Sequence, residues 1–210
     1  MNKGDYALNF KRYCHDYPNR GYGGSFFMWA QSDRTEPYNS FGNGSAMRAS
    51  PIGWAFESLE ETIKEAGRSA AVTHNHPEGI KGAQATAVAI FLARHGRGKK
   101  EIKSYISTAF DYDLGRSLEE IRPHYIFNVT CRGSVPEAMI AFFESEDFED
   151  SIRNAASLGG DSDTIACIAG GIAEAFYGGV PEGIRNKVLD RLPQSFIQVM
   201  DLFYETYGVS

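Results

Sequence analysis

The sequence has little cysteine. Only Cys14, Cys131 and Cys167 occur in 210 residues, an odd number at wide spacing. Neither a disulfide framework nor a CxxC metal site is indicated. An excess of basic residues is also missing. Lys and Arg total 21 against 27 Asp and Glu, for a net charge of −6. A general duplex-DNA binder needs a basic face to displace counterions, so nucleic acid is not an expected partner. A small anionic ligand needs only local positive potential and stays open. No apolar run reaches the roughly 18 residues of a membrane helix. The longest candidate, Ile165 to Tyr177, is too short and carries Glu174. The opening Met1-Asn2-Lys3-Gly4-Asp5 lacks the apolar stretch of a signal peptide. Walker A, GxGxxG and HExxH patterns are absent, as are linkers, low-complexity tracts and fixed-period repeats. The expectation is a soluble, reduced, cytoplasmic protein with no membrane partner.

What is present is ordinary globular composition, with 42% hydrophobic and 23% charged residues. That argues against disorder. A chain of this length is expected to form one domain, spanning residues 1–210, and to bury roughly 70% of its unfolded surface without a staple.

The pattern along the chain is helical. Helices are predicted over Asp5 to Asp16 (stopped by Pro18), over Ala46 to Phe56 (interrupted by Pro51), and over Ser58 to Val72. Ser58 with Glu61 forms a capping-box signature ahead of the last of these. Phe26 to Gln31 is a short aromatic segment, and Glu36 to Ser45 and Thr73 to Gly79 read as loops. Further helices are predicted over Ile80 to His95 with Gly96 as the stop, Lys100 to Phe110, Val135 to Glu144, and Phe148 to Ser157. Asp161 to Tyr177, Pro181 to Arg191 and Phe196 to Tyr207 complete the set. Tyr125 to Thr130 alternates and fits either one strand or an extended loop. About ten helices with at most one strand make an all-α domain the expected fold class.

Chemistry concentrates in Gly159-Gly160-Asp161-Ser162-Asp163-Thr164. Two carboxylates and a hydroxyl lie where a glycine turn becomes a helix, and such oxygens suit a hard cation such as Mg²⁺. The same residues also fit a plain helix N-cap. An EF-hand is excluded, because its third acid, loop glycine and closing Glu are absent. The small residues that follow, Ala166, Ala169, Gly170, Gly171 and Ala173, suit a tightly buried central helix. A second segment, Phe41-Gly42-Asn43-Gly44-Ser45-Ala46-Met47-Arg48, is a glycine loop entering a helix. It fits either a phosphate cradle or an ordinary loop and cap. A third, Thr73-His74-Asn75-His76-Pro77, offers imidazoles for sugar hydroxyls or water, or simply for capping a helix.

These three segments together resemble the ADP-ribosylglycohydrolase family, over a span from about Tyr6 to Tyr177. The resemblance implies an all-α fold. It also implies hydrolysis of the glycosidic bond between ADP-ribose and a protein side chain or small acceptor, with two Mg²⁺ ions. By resemblance Asp161, Asp163 and Thr164 are metal ligands, the two aspartates being the catalytic acids. The loop residues Gly42, Asn43, Gly44, Ser45 and Met47 hold ADP-ribose, Phe41 stacks on adenine, and His74 faces the ligand. His76 is expected to be structural. Arg48 pairs with either a buried carboxylate or the ligand.

One family element is not found: the opening Gly-Asp segment with its Thr-Asp-Asp-Thr motif, which supplies the other metal ligands. Glu60-Glu61, Glu119-Glu120 and the acids from Glu144 to Asp150 read as solvated faces or loops. The chain is therefore expected to be an N-terminally truncated member, holding one ion in place of two. Apolar surface left without the opening helix favours a homo-oligomer or a complementing chain. Three readings follow. The chain is a metal-dependent hydrolase, a catalytically incomplete ADP-ribose binder or half of a split hydrolase, or a purely structural helical protein.

Overall fold

The computed structural model describes residues 6–208. Met1 to Asp5, including the expected first residue of the first helix, and Val209-Ser210 lie outside the described residues. Thirteen helices account for the fold among those described. The chain begins with α1 (Tyr6–Asp16) and α2 (Gly24–Ala30), then α3 (Gly44–Met47) and α4 (Ser50–Ala55). Next come α5 (Leu59–Ala71), α6 (Pro77–Arg94), α7 (Lys99–Phe110), α8 (Leu118–Ile121) and α9 (Cys131–Phe143). The last four are α10 (Phe148–Ser157), α11 (Ser162–Tyr177), α12 (Glu182–Leu189) and α13 (Gln194–Tyr207). The only β pairing among the described residues is a single antiparallel bridge between Gly42 and Thr130. The fold is all-α.

Local chemistry explains where the boundaries fall. Pro51 does not break one long helix; it divides the predicted Ala46 to Phe56 stretch into α3 and α4 by occupying the first turn of α4. Proline is tolerated there because that N–H has no helical partner. Likewise α6 begins at Pro77, three residues before the predicted start, with His76 Nδ1 accepting from the Glu78 amide at 3.1 Å. α9 begins at Cys131, four residues early, because Thr130 caps the Gly133 amide at 3.1 Å. Ser58 caps α5 through the Glu61 amide at 3.2 Å. α8 escapes sequence patterning by its shortness, yet Ser117 and Glu120 close a reciprocal capping box at 3.3 and 2.8 Å. Gly96 and Gly178 terminate α6 and α11 with φ of +72° and +80°.

α6 is the axis of the molecule. It packs against α3, α4, α5, α7, α9 and α11. Ala85, Ala87, Val88, Ala89 and Ile90 on it are fully buried. α9 and α11 are its main partners, contributing Val135, Met139, Phe142, Ile165, Ile168 and Ile172 to the same core. These three helices are apolar around most of their circumference, as expected for helices enclosed by others. α5 and α10 instead carry one apolar stripe and cover the core from outside. Small residues set the helix separations. On α4, a Cβ at Gly53 would lie 2.6 Å from Ile90 Cβ and 2.7 Å from the Ala87 carbonyl. At the periphery, α12 and α13 bury no residue fully. α13 reaches α1 through Phe196 against Tyr13, with ring centroids 5.9 Å apart, and also meets Tyr17 just after it at 4.7 Å.

Gly53→Ala is expected to lose about 1–3 kcal/mol of stability, because the methyl group meets a rigid helix backbone. Gly183→Ala, on α12 with open space around its Cβ position, is expected to gain roughly 0.5–1 kcal/mol through helix propensity. Chemical denaturation measures both. A loss for Gly183→Ala, or no loss for Gly53→Ala, contradicts this packing.

Candidate functional site

The N-terminal ends of α3, α6, α9 and α11 come together; the three segments singled out above enter α3, α6 and α11, and the Tyr125 to Thr130 segment enters α9. The bridge between Gly42 and Thr130 joins two of these connections. The Asn43 amide donates to the Val129 carbonyl at 2.8 Å, and the Cys131 amide donates to the Phe41 carbonyl at 3.0 Å. The Tyr125 to Thr130 segment is thus extended backbone paired at one residue, not a strand of a sheet.

Asn43 ties the cluster together. Its side chain is buried, and Nδ2 donates both to Ser134 Oγ at 2.8 Å and to Asp161 Oδ2 at 2.6 Å. Asp161 occupies the N-cap position of α11 but forms no side-chain capping bond. Its carboxylate is turned toward the glycine loop instead. Asp163 is exposed in the first turn of α11, and Thr164 beside it is buried, its hydroxyl donating to Met47 Sδ at 3.8 Å. The Cys167 thiol donates to the Met47 carbonyl at 3.3 Å. Met47 therefore joins the loop to α11 while leaving about half its surface open, at 45% exposure.

Ser45 is placed differently from a ligand-facing side chain. It is buried, and its hydroxyl donates to the Gly79 carbonyl at 2.7 Å. Only its backbone is left to serve a ligand. Gly42 and Gly44 make room for His74: Cβ atoms there would sit 3.5 and 3.4 Å from His74 Nε2. Gly160, at φ +61°, lets the turn before α11 pass under the extended segment, where a Cβ would lie 2.8 Å from Tyr125 Cε1. Phe41 is 52% exposed at the rim and stands edge-on to His76, with centroids 5.5 Å apart.

His74 is buried, with Nδ1 2.7 Å from Thr73 Oγ1. Burial, then the nearby Arg48 guanidinium, push its pKa down to about 3, so the ring is neutral at pH 7. Among the described residues Arg48 pairs with no carboxylate. It donates to the Ser69 carbonyl at 3.0 Å and to Thr73 Oγ1 at 2.8 Å, and its guanidinium lies 4.3 Å from the Phe10 ring centroid. Ser134 and the Tyr125 to Thr130 segment are the parts of the cluster that sequence reasoning does not assign to it. The only sequence sign was the apolar alternation of that segment.

Asp161, Asp163 and Thr164 offer oxygen atoms only, which suits Mg²⁺ better than a thiophilic ion. Among the described residues no group of three or more His, Cys, Asp or Glu is positioned to hold a cation. Two carboxylates and a hydroxyl are the oxygen donors that this segment offers to an ion. They lack the charge for a two-ion centre.

The neutral, buried histidine gives a pH dependence. Between about pH 3 and 6.5 the unfolded chain binds a proton at His74 that the folded chain refuses. Stability contributed here is complete above about pH 6.5 and falls on acidification, by up to about 1.4 kcal/mol per pH unit. Denaturation midpoints of wild type and His74→Gln between about pH 6.5 and 4.5 are expected to converge as pH falls. A constant difference contradicts a neutral buried ring.

Comparison with known proteins bears on this arrangement. Human ADP-ribosylhydrolase ARH3 is 28% identical, the match covering 96% of this chain and 69% of that protein. The zebrafish (Danio rerio) ARH3 is 29% identical over 83% of this chain and 63% of its own length. ADP-ribosylarginine hydrolase Tri1 of Pseudomonas putida is 28% identical over 73% of this chain and 47% of its own. The chain thus spans about two thirds or less of these relatives. A solved structure described as an ADP-ribosylglycohydrolase-related protein complex has the same fold, with a TM-score of 0.64 and 24% identity over 85% of this chain and 66% of that one. The ADP-ribosylglycohydrolase family model matches residues 2–208. A match of that extent, running through the glycine loop, the histidine turn and the start of α11, means that the chain belongs to the ADP-ribosylglycohydrolase family.

Proposed function

We propose that this chain binds ADP-ribose on the Gly42–Met47 loop and hydrolyses its glycosidic bond to a protein side chain or small acceptor, with Mg²⁺ as cofactor. The observation that carries the reading is the Asn43 amide, which couples the glycine loop to Asp161 across 118 positions of sequence. A loop that holds a ligand and an acid that acts on it need such coupling to keep a fixed separation.

In this reading the phosphates lie against the first backbone N–H groups of the Gly44-Ser45 turn, which have no helical carbonyl to bind. Phe41 covers the base, as its exposure at the rim permits. Neutral His74 donates or accepts a hydrogen bond without adding charge. Asp161, Asp163 and Thr164 hold the cation beside the ribose, with Asn43 orienting the Asp161 carboxylate. A bound divalent cation supplies electrostatic stabilisation and activation of water. Positive charge develops on the ribose as the bond breaks, and the Asp161 and Asp163 carboxylates would stabilise it. The whole chain, residues 1–210, acts as one helical domain.

A second reading has its own support. With two carboxylates in the cluster among the described residues, the chain fits an ADP-ribose binder that does not turn over, or one that requires a second copy or a complementing chain.

Both readings are tested by ADP-ribose release from a panel of ADP-ribosylated acceptors, with Mg²⁺ and with EDTA. Hydrolysis predicts release that EDTA abolishes and that Asp163→Ala reduces at least about a hundredfold, with the fold intact. ADP-ribose binding with no release supports the second reading. Release unaffected by EDTA and by Asp163→Ala contradicts the metal assignment.

A further inference from the structure

Arg48, Thr73 and His74 form a buried relay that ends at the ligand loop. Arg48 Nη2 donates to Thr73 Oγ1 at 2.8 Å, and Thr73 Oγ1 lies 2.7 Å from His74 Nδ1. A guanidinium can only donate, so Arg48 takes one lone pair of the hydroxyl. Among the described residues the other group within hydrogen-bond distance of this hydroxyl is His74 Nδ1. A buried hydroxyl proton left without an acceptor is costly, so the single Thr73 proton is directed to Nδ1, which accepts. A neutral imidazole that accepts at Nδ1 carries its hydrogen on Nε2. Nε2 is the atom facing Gly42 and Gly44, and among the described residues it forms no hydrogen bond.

The relay is held rigidly. Thr73 is fully buried. Its amide and that of His74 both donate to the Ala70 carbonyl at the end of α5, at 3.1 and 2.7 Å. Its carbonyl accepts from Ser40 at 3.3 Å, one residue before Phe41. Arg48 is itself clamped by the Ser69 carbonyl and the Phe10 ring. The arginine nearest the glycine loop is thus spent on orienting a neighbour, not on a ligand phosphate.

We propose that Thr73 is a positioning residue whose hydroxyl, oriented by Arg48, locks His74 in the Nε2–H tautomer so that the ring donates to an anionic or hydroxyl oxygen of the ligand on the Gly42–Met47 loop. The identity of that ligand rests on the ADP-ribose reading; the tautomer does not. A neutral donor recognises an oxygen acceptor over a wide pH range, where an ordinary histidine changes charge near neutrality.

The experiment is nitrogen-15 NMR of the histidine side chains, paired with calorimetric titration of ADP-ribose. The chain has five histidines, and loss of a signal in His74→Gln assigns the one of interest. Wild type and Thr73→Ser, which keeps the hydroxyl, are expected to show protonated Nε2 and bare Nδ1. Thr73→Val is expected to populate the other tautomer and to bind ADP-ribose about tenfold more weakly, with Thr73→Ser within about twofold of wild type. A wild-type His74 protonated at Nδ1 overturns the proposal without need of any variant. So does Thr73→Val with an unchanged tautomer. If wild type binds no ADP-ribose, the ligand reading fails, and the tautomer pattern still decides the role of Thr73.

Discussion

The Asn43 side-chain amide is the contact on which the site's geometry depends. One nitrogen donates to Ser134 in α9 and to Asp161 at the head of α11. Its own backbone is paired to Val129 in the segment that leads into α9. Three elements far apart in sequence therefore share one buried residue. A buried amide left without partners costs about 1–3 kcal/mol, so this arrangement is strongly preferred over alternatives that leave the groups unpaired. The placement of Asp161 follows from it: the acid faces the glycine loop because Asn43 draws it there, not because it caps its own helix.

The rest of the core exists to hold those helix ends together. α6, α9 and α11 meet through alanine, glycine and β-branched residues, which allow short separations and few rotamers. Close packing of this kind has low compressibility, so the three N-termini keep fixed relative positions. Histidine and arginine chemistry is then set by the same enclosure. Burial makes His74 neutral, and the neighbouring Arg48 guanidinium adds to that shift. A pair that would repel if both were charged instead becomes a donor–acceptor sequence through Thr73.

Much of this was readable from the residues alone. The amphipathic stripe of α5, the Ser58 cap and the glycine stops of α6 and α11 are local signals, and local signals survive into the fold. The acidic start of α11 and the glycine loop were identified as the chemical segments for the same reason. Non-local partners were not readable. Nothing in Ser134 marks it as the second acceptor of Asn43, and nothing in Ser45 shows that its hydroxyl turns inward to Gly79. Arg48 illustrates the limit well: an arginine beside a glycine loop fits a phosphate or a carboxylate equally, and here it serves a threonine hydroxyl and a backbone carbonyl. α9 starts four residues before the predicted Val135, because Cys131 to Ser134 lacks a helical apolar pattern although Thr130 supplies the cap.

The proposed ligand position follows from these contacts and can be tested directly by a crystal structure of the chain with ADP-ribose and Mg²⁺. The account expects the pyrophosphate against the Gly44-Ser45 backbone, the base beside Phe41, and the distal ribose toward Asp161, with the Asn43 to Asp161 contact retained. ADP-ribose seated elsewhere, for example in the charged cavity lined by Lys81, Arg116 and Arg132, or a glycine loop empty at saturating ligand, would contradict it.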